Sequence, residues 1–444
     1  MKLFALVGKP NVGKSTLFNR LAQRQIAIVN DKAGTTRDRN LTLVDYKGMH
    51  FYLVDTGGFE PESKEVIPAK MREQSRLAVE EADAVIFMLD YQSGLTPQDI
   101  EVYDYLRRSK KPVYVAINKV DGDNHENNLG EFWEAGFEQL FPLSGAHGRG
   151  VMGLLEAMAE QFPEIQEEST EHEEGVISIA IVGRPNAGKS SLTNYLIGEE
   201  KQIVHDEAGT TRDPIDCEFM YQKQRIRLID TAGIRKKSKV SQLVDHYSMV
   251  GAVRSVDRAD LALLVIDAAD GVVEQDARIA GLVLDRGKAL VLVVNKWDLV
   301  AKDSRTLDQV KEEIYYQLPF ASHCPVVFVS AKTGQRVPQV LDQALLVDQE
   351  NQKRIQTADL NRVLEVVTAR HQPPTRQGRP NRIFYAAQVA IRPPSFTVHC
   401  SNPDAIPEDY KRFLLNQFRH HFGFQGCSLQ IFWRSRKKKE EESA

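Results

Sequence analysis

The chain has 444 residues, of which 42% are hydrophobic and 27% charged, so it is too apolar for a disordered polymer. At roughly 150 residues per domain this is material for about three domains, each with its own core. The formal net charge of −4 conceals a split: from Asn351 onward, 16 Lys and Arg face 8 Asp and Glu, a net of +8 that leaves −12 on the 350 residues before it. A basic C-terminal third on an acidic body points to a module that binds a polyanion. The longest apolar runs, such as Ala289 to Val294, have the length of strands, so no membrane span is expected. The start reaches Gly8 too early for a secretory signal and has no small-residue cleavage site. Cys217, Cys324, Cys400 and Cys427 form no C-x-x-C pair, which argues against a disulfide scaffold or a structural zinc site and fits a reducing cytoplasm.

The first strand candidate, Leu3–Val7, runs into Gly8-Lys9-Pro10-Asn11-Val12-Gly13-Lys14-Ser15. This G-x-x-x-x-G-K-S follows a strand and opens a helix, the context its chemistry requires. Its glycines let backbone N–H groups wrap a β-phosphate, and the helix N-terminus adds partial positive charge. Lys14 is expected to reach the β- and γ-phosphates, and Ser15 to offer a hydroxyl to Mg²⁺. The segment Asp31-Lys32-Ala33-Gly34-Thr35-Thr36-Arg37-Asp38 would supply a threonine to the same metal, Thr36 before Thr35. Alone it is an ordinary polar turn. After the strand candidate Phe51–Val54, Asp55-Thr56-Gly57-Gly58 places a carboxylate to hold the magnesium through water and a glycine amide for the γ-phosphate, a contact released on hydrolysis. Strand candidates Ala84–Leu89 and Val113–Ile117 follow, and the second leads into Asn118-Lys119-Val120-Asp121. The Asp121 carboxylate can accept from guanine N1–H and N2–H₂. Adenine has no such donor pair, so discrimination of about 10⁴ is attainable. Asn118 can address the base N7, and the Lys119 stem can lie along the ring.

Six glutamates among the eleven residues Glu164 to Glu174 read as a self-repelling extended linker, and a domain boundary is expected there. Beyond it the motifs recur in register. Gly183-Arg184-Pro185-Asn186-Ala187-Gly188-Lys189-Ser190, Asp206 to Asp213 with Thr210 and Thr211, and Asp230-Thr231-Ala232-Gly233 each lie 175 residues after their counterparts. Asn295-Lys296-Trp297-Asp298 lies 177 after, and Ser330-Ala331-Lys332 lies 186 after Ser144-Gly145-Ala146. An offset that grows only late means two copies of one domain with small loop insertions. Each residue of the second copy takes the expected role of its counterpart: Lys189 on phosphate, Ser190, Thr211 and Asp230 at the metal, Asp298 on guanine. Strand candidates Ile177–Val182, Ile226–Ile229, Leu261–Ile266 and Leu290–Val294 alternate with helical stretches. Continuous apolar strands between helices argue for a parallel sheet covered on both faces, with ligands at the carboxyl ends of the strands.

The last segment reads as helix Asp359–Thr368, strand Ile383–Ile391, strand Ser395–His399, helix Pro407–Phe422 and strand Ser428–Arg434, a small α+β module. Arg376, Arg379, Arg382 and Arg392 surround its first strand, and Lys411, Arg412 and Arg419 ride its second helix. Gly423-Phe424-Gln425-Gly426 matches the G-x-x-G of RNA-clamping loops, but it leads from a helix into a strand and reads as a turn. The Arg434-to-Lys439 tail can touch phosphates.

In this order the five motifs are those of the translation-factor branch of P-loop GTPases. Two such domains followed by a small basic domain closely resemble the Der (EngA) family, the bacterial tandem-domain GTPases of ribosome assembly. The resemblance covers essentially the whole chain. It implies two α/β P-loop GTPase domains at 1–163 and 176–350, an acidic linker at 164–175, an α+β KH-like domain at 351–436 and a charged tail at 437–444. It further implies two GTP/GDP sites with Mg²⁺, and a cytoplasmic, monomeric switch that binds the large ribosomal subunit and its rRNA. Ser144-Gly145-Ala146 departs from the S-A-x expected to contact guanine. After D-x-x-G many small GTPases carry a water-orienting glutamine, whereas this chain has Phe59 and Ile234. In relatives with a P-loop asparagine, here Asn11 and Asn186, a bound K⁺ supplies the missing charge, so K⁺-stimulated hydrolysis is expected. Two other readings compete. One G domain could be a nucleotide sensor that does not hydrolyse, or the chain a tRNA-modification GTPase, against which the lack of a folate, flavin or redox-cysteine constellation counts.

Overall fold

A computed structural model describes residues 2–22, 41–56, 78–80, 82–122, 129–137, 139–165, 173, 175–199, 216–230, 245–300, 306–373 and 381–435. Two compact units divide between Glu171 and His172. In the first, strands β1 (Leu3–Gly8), β2 (Leu41–Tyr46), β3 (Met49–Asp55), β4 (Ala84–Asp90), β5 (Val113–Asn118) and β6 (Leu140–Pro142) form one sheet in the order β2-β3-β1-β4-β5-β6. Helices α1 (Lys14–Ala22), α2 (Pro97–Arg108), α3 (Gly130–Glu134) and α4 (Val151–Gln161) accompany it, followed by a 3-10 turn at Pro163–Ile165. Only the β2–β3 pair is antiparallel among the described strand pairs. Because β1 lies between β3 and β4, the phosphate loop leaves the sheet where the order reverses, and a crevice opens at the carboxyl ends.

The second unit opens with the same plan. Strands β7 (Val176–Val182), β8 (Cys217–Tyr221), β9 (Gln224–Ile229), β10 (Leu261–Asp267), β11 (Ala289–Asn295) and β12 (Val326–Phe328) run β12-β11-β10-β7-β9-β8 across the sheet. Its helices are α5 (Lys189–Glu199), α6 (Asp245–Arg258), α7 (Glu274–Asp285), α8 (Thr306–Gln317) and α9 (Pro338–Asn351). The unbroken apolar run of β10 has a direct cause. Leu261, Leu263 and Val265 enter the core under α5 and α9, while Ala262, Leu264 and Ile266 enter the core under α6 and α7. With both faces covered, no polar position is needed. The C-terminal module adds α10 (Thr357–Arg370), β13 (Ile383–Ala390), β14 (Ser395–Cys400), α11 (Glu408–Phe422) and β15 (Gln430–Ser435), with both helices packed on one face of the sheet β13-β14-β15.

Four strands are missing from the sequence reading. β6 and β12 have three residues each, too short to show a pattern. β2 and β8 are the antiparallel edges of hairpins whose tight turns hold both central residues at positive φ: Lys47 (52°) and Gly48 (82°), then Gln222 (47°) and Lys223 (69°). The second turn reaches that left-handed geometry without a glycine, so no hairpin signal was visible. Ile165 is fully buried in the first core, and Glu173 pairs with Arg225 and Arg227 of β9.

The C-terminal module is docked on the second G-domain-like sheet by polar contacts. Leu290 N–H donates to Gly426 O (2.8 Å), Gly426 N–H to His323 O (2.9 Å) and Ser428 Oγ to Leu284 O (2.8 Å). Arg392 donates to both carboxylate oxygens of Asp348 at 2.9 and 3.0 Å, with the Asp348 side chain only 4% exposed. Arg419 lies beside His323 and donates to Cys427 O. Two arginines of the basic module, Arg392 beside its first strand and Arg419 on its second helix, thus face inward because they serve this junction. Arg376, Arg379 and the tail beyond Ser435 lie outside the described residues. The loop Gly423–Gly426 is a turn from α11 toward β15, as read, with Phe424 N–H held by Glu350 at 2.5 Å. Removing the Asp348 carboxylate leaves Arg392 buried without a counter-charge. Asp348→Ala is expected to destabilise the second unit by about 3 kcal/mol, read as a lower urea midpoint than wild type.

Candidate functional site

Both phosphate loops are built the same way. β1 ends at Gly8, where a Cβ would lie 2.5 Å from Met88 O of β4; at Gly183 it would lie 2.5 Å from Val265 O of β10. Asn11 and Asn186 stand at φ of 65° and 63°, and Gly13 and Gly188 at 92° and 97°. Each loop curls back so that its lysine reaches its start. Lys14 Nζ donates to Gly8 O (2.8 Å) and Lys9 O (2.6 Å), and Lys189 Nζ to Gly183 O and Arg184 O, both at 2.7 Å. Ser15 Oγ donates to Oδ2 of buried Asp55 at 3.0 Å, so two of the residues expected at the metal already touch. Thr56 is tied to β1 through Leu6 O. The second copy differs here: Asp230 stands at φ 57° and donates its N–H to Asp216, which Arg258 holds.

The base-recognition loop is joined to the phosphate loop by one side chain in each copy. Asn118 donates from Nδ2 to Val12 O (2.7 Å) and accepts at Oδ1 from Gly145 N–H (2.8 Å). Asn295 does the same with Ala187 O and Ala331 N–H, both at 2.9 Å. This bracing was not read in the sequence, where Asn118 and Asn295 were assigned to the base alone. Gly145 presents the same amide as Ala331, so the Ser144-Gly145-Ala146 departure leaves the bonding unchanged. Ser144 Oγ donates to Asp121 Oδ1 at 2.7 Å. Asp121 itself is exposed and Asp298 half-buried, so the desolvation that sharpens guanine selectivity has to come from the purine.

The third residue of each N-K-x-D, Val120 and Trp297, is expected beside the nucleotide from its place in the motif, and its side chain lies in the core. Val120 is 1% and Trp297 3% exposed, turned into the core, with the Trp297 ring 4.6 Å from that of Phe328. Their backbone N–H groups bond Leu143 O and Val329 O, which fixes the outward turn of the aspartate next in line.

Two further pairs escaped the sequence reading. Register sets Asp90 beside Asn118 and Asp267 beside Asn295, and the following lysines pair with them: Lys119 with Asp90 and Lys296 with Asp267, each at 2.6 Å. At Asp267 burial favours the neutral acid, but Lys296, the Ala269 N–H and Arg184 outweigh it and hold the carboxyl below its usual range. The second loop residue is anchored as well. Lys9 pairs with Asp99 at 2.6 Å and Arg184 lies 3.8 Å from Asp276, the acids sitting in the first turns of α2 and α7. Burial raises the Asp276 carboxyl despite the Val273 N–H and Arg184. The signal for these pairs was the 177-residue offset, which Asp90 and Asp267 share with Asp99 and Asp276. Thr35, Thr36, Gly57, Gly58, Phe59, Thr210, Thr211, Thr231, Ala232, Gly233 and Ile234 lie outside the described residues.

Two doubly wound sheets, each with a lysine-bearing phosphate loop tied to an N-K-x-D loop, define a tandem P-loop GTPase fold. A family model described as a 50S ribosome-binding GTPase matches residues 3–119 and 178–296, and one described as the KH-domain-like C-terminal domain of EngA bacterial GTPase enzymes matches 354–434. The proteins called GTPase Der of Trichlorobacter lovleyi and Geobacter metallireducens are each 46% identical to this chain, over 437 and 440 residues. These alignments cover 98% and 99% of this chain and 97% and 100% of those proteins. The GTPase Der of Alkaliphilus metalliredigens is 42% identical over 98% of both chains. The chain belongs to the GTPase Der family.

At Gly13 an added Cβ would sit 2.2 Å from Asn118 Nδ2, and at Gly188 2.1 Å from Asn295 Nδ2. Gly13→Ala and Gly188→Ala are each expected to weaken GDP binding at their own site at least about tenfold in a fluorescent-nucleotide titration, since a brace of two buried hydrogen bonds is displaced. Gly145→Ala meets nothing closer than 3.4 Å and is expected to leave affinity unchanged.

Proposed function

We propose that both G domains of this GTPase bind and hydrolyse GTP, and that the chain is a nucleotide-dependent switch in assembly of the large ribosomal subunit in the cytoplasm. The observation that carries this reading is the paired Asn118 and Asn295 brace, which keeps both sites built to the same plan. The match to a ribosome-binding GTPase family along the chain supports the partner.

The residues fit the nucleotide and its metal. The cradles at Gly8, Gly13, Gly183 and Gly188 have no room for a Cβ, and the lysine ammonium groups rest on loop carbonyls they can exchange for phosphate oxygens. In this reading Lys14 and Lys189 hold the β- and γ-phosphates. Backbone N–H groups of residues 11–15 and 186–190, beyond Pro10 and Pro185, line the phosphates. Ser15 with Thr36 and Ser190 with Thr211 ligate Mg²⁺, while Asp55 and Asp230 hold it through water. Asp121 and Asp298 accept from the guanine edge, oriented by buried Ser144 in the first copy. Mg²⁺ supplies charge neutralisation between the phosphates when bound.

Phe59 and Ile234 offer no acceptor to orient the attacking water, so charge developing at the phosphates needs another source. Asn11 and Asn186, each in the left-handed conformation, are the proposed K⁺ ligands. GTP turnover in K⁺ is expected to exceed that in Na⁺ at equal ionic strength by at least about tenfold; equal rates would remove the cation from the mechanism. The proposed division is 1–163, a linker within 164–175, 176–350, 351–436 and a tail at 437–444, acting as a monomer.

The partner is tested by sedimentation with purified ribosomal subunits in GDP, GTP and a non-hydrolysable GTP analogue at fixed salt. Co-migration with the large subunit in the triphosphate states alone is the expected result. No co-migration in any state would contradict the ribosome as partner and leave the guanine chemistry standing.

A further inference from the structure

The C-terminal sheet has one covered face and one open face. Ala386, Phe396 and Val398 point into the core beneath α10 and α11. Strand alternation therefore puts Tyr385, Ala387, Thr397, His399, Phe432 and Arg434 on the opposite face. The register aligns them in rows: Tyr385 beside His399, His399 beside Arg434, Thr397 beside Phe432. None of the six is buried, and Tyr385 is 43% exposed. The Tyr385 and His399 rings are stacked nearly parallel, 4.3 Å apart at 12°, so each covers one face of the other and the pair offers a further base a face to extend the stack. A register shift between Ile383 and Tyr385 leaves Phe384 exposed as well, at 42%. Such irregularities re-aim side chains and mark functional edges of sheets. No acidic residue stands among the six, and exposed Arg382 immediately precedes β13 at the Tyr385 end.

We propose that this sheet face binds unpaired RNA by stacking, one base on the Tyr385–His399 pair and another on Phe432, with Arg434 and Arg382 on the phosphates. The inference rests on the ribosome reading above and adds the surface and the form of RNA. Exposed π-faces beside arginines, without a carboxylate, suit bases and backbone together. A duplex hides its base faces within the helix, so the platform selects unpaired segments. Two other features of this module with a possible RNA role are occupied. Arg392 and Arg419 are engaged at the junction, and the Gly423–Gly426 turn is fastened to Glu350, His323 and Leu290.

The test uses the full chain, a fluorescent ten-nucleotide oligouridylate and a ten-base-pair RNA duplex, with anisotropy read across a salt series. Base stacking predicts that Tyr385→Ala weakens oligouridylate binding roughly tenfold with an unchanged salt slope. Tyr385→Phe keeps the aromatic face and is expected to bind as wild type. Arg434→Ala is expected to lower the salt slope by about 0.7. Duplex binding is expected to be unaffected by Tyr385→Ala. Wild-type affinity in Tyr385→Ala, or an equal loss for duplex and single strand, would overturn the proposal. Concentration-dependent self-association of the chain that disappears in Tyr385→Ala would assign the face to a second copy instead. Co-sedimentation of the wild type with the large subunit alongside no single-strand effect overturns this inference alone. Tyr385-dependent oligouridylate binding without co-sedimentation overturns the ribosome reading alone.

Discussion

The structure of each G domain depends on one buried carboxamide. Asn118 and Asn295 are 3% and 2% exposed, and each joins the loop that wraps phosphate to the loops that read the base. A nucleotide has to be gripped at both ends by segments more than a hundred residues apart in the chain. Only a rigid link inside the protein keeps those grips at a fixed separation. A carboxamide suits the task because one planar group offers a donor and an acceptor on opposite sides. Leaving either partner unsatisfied in the interior costs about 1–3 kcal/mol. That expense is avoided only if Gly13 and Gly188 lack a side chain and Gly145 and Ala331 turn their amides inward. The glycines of the phosphate loop are thus required by protein packing as well as by the ligand.

The duplication made most of the fold legible. Eight strands were placed from apolar runs, since a sheet covered on both faces leaves an unbroken signal such as that of β10. What stayed hidden was geometry carried by backbone or by distant partners. The turn at Gln222-Lys223 takes left-handed angles without a glycine. The inward turn of Trp297 was hidden because a motif names positions and says nothing of direction. Arg392 and Arg419 counted as surface charge until the second G domain supplied Asp348 and His323 as neighbours. The ion pairs of Lys119 and Lys296 carried a sequence signal, the shared offset of Asp90 and Asp267, which became informative only once strand register set each acid beside its lysine.

The two copies agree at the loop lysine and the bracing asparagine and diverge around them. Lys9 reaches Asp99 of α2 and Arg184 lies near Asp276 of α7, with different side chains. Arg20 clamps the carbonyls of Gly145 and Ala146 in the first copy, where Tyr195 packs at Gly334 in the second. Asp55 touches Ser15, while Asp230 adopts a left-handed backbone beside Asp216. The second copy also carries the C-terminal module, fastened through β11, α7 and α9. The constant elements suit one chemistry run twice, and the variable ones lie where the copies meet different neighbours.

The central claim is that one chain holds two guanine-nucleotide sites, each organised by its own asparagine. Calorimetric titration of the full chain with GDP in Mg²⁺ tests it most directly, comparing wild type with Asn118→Ala and Asn295→Ala. The account predicts two nucleotides bound per wild-type chain and one retained by each variant. A single nucleotide on the wild type, or two undiminished sites in both variants, would contradict it.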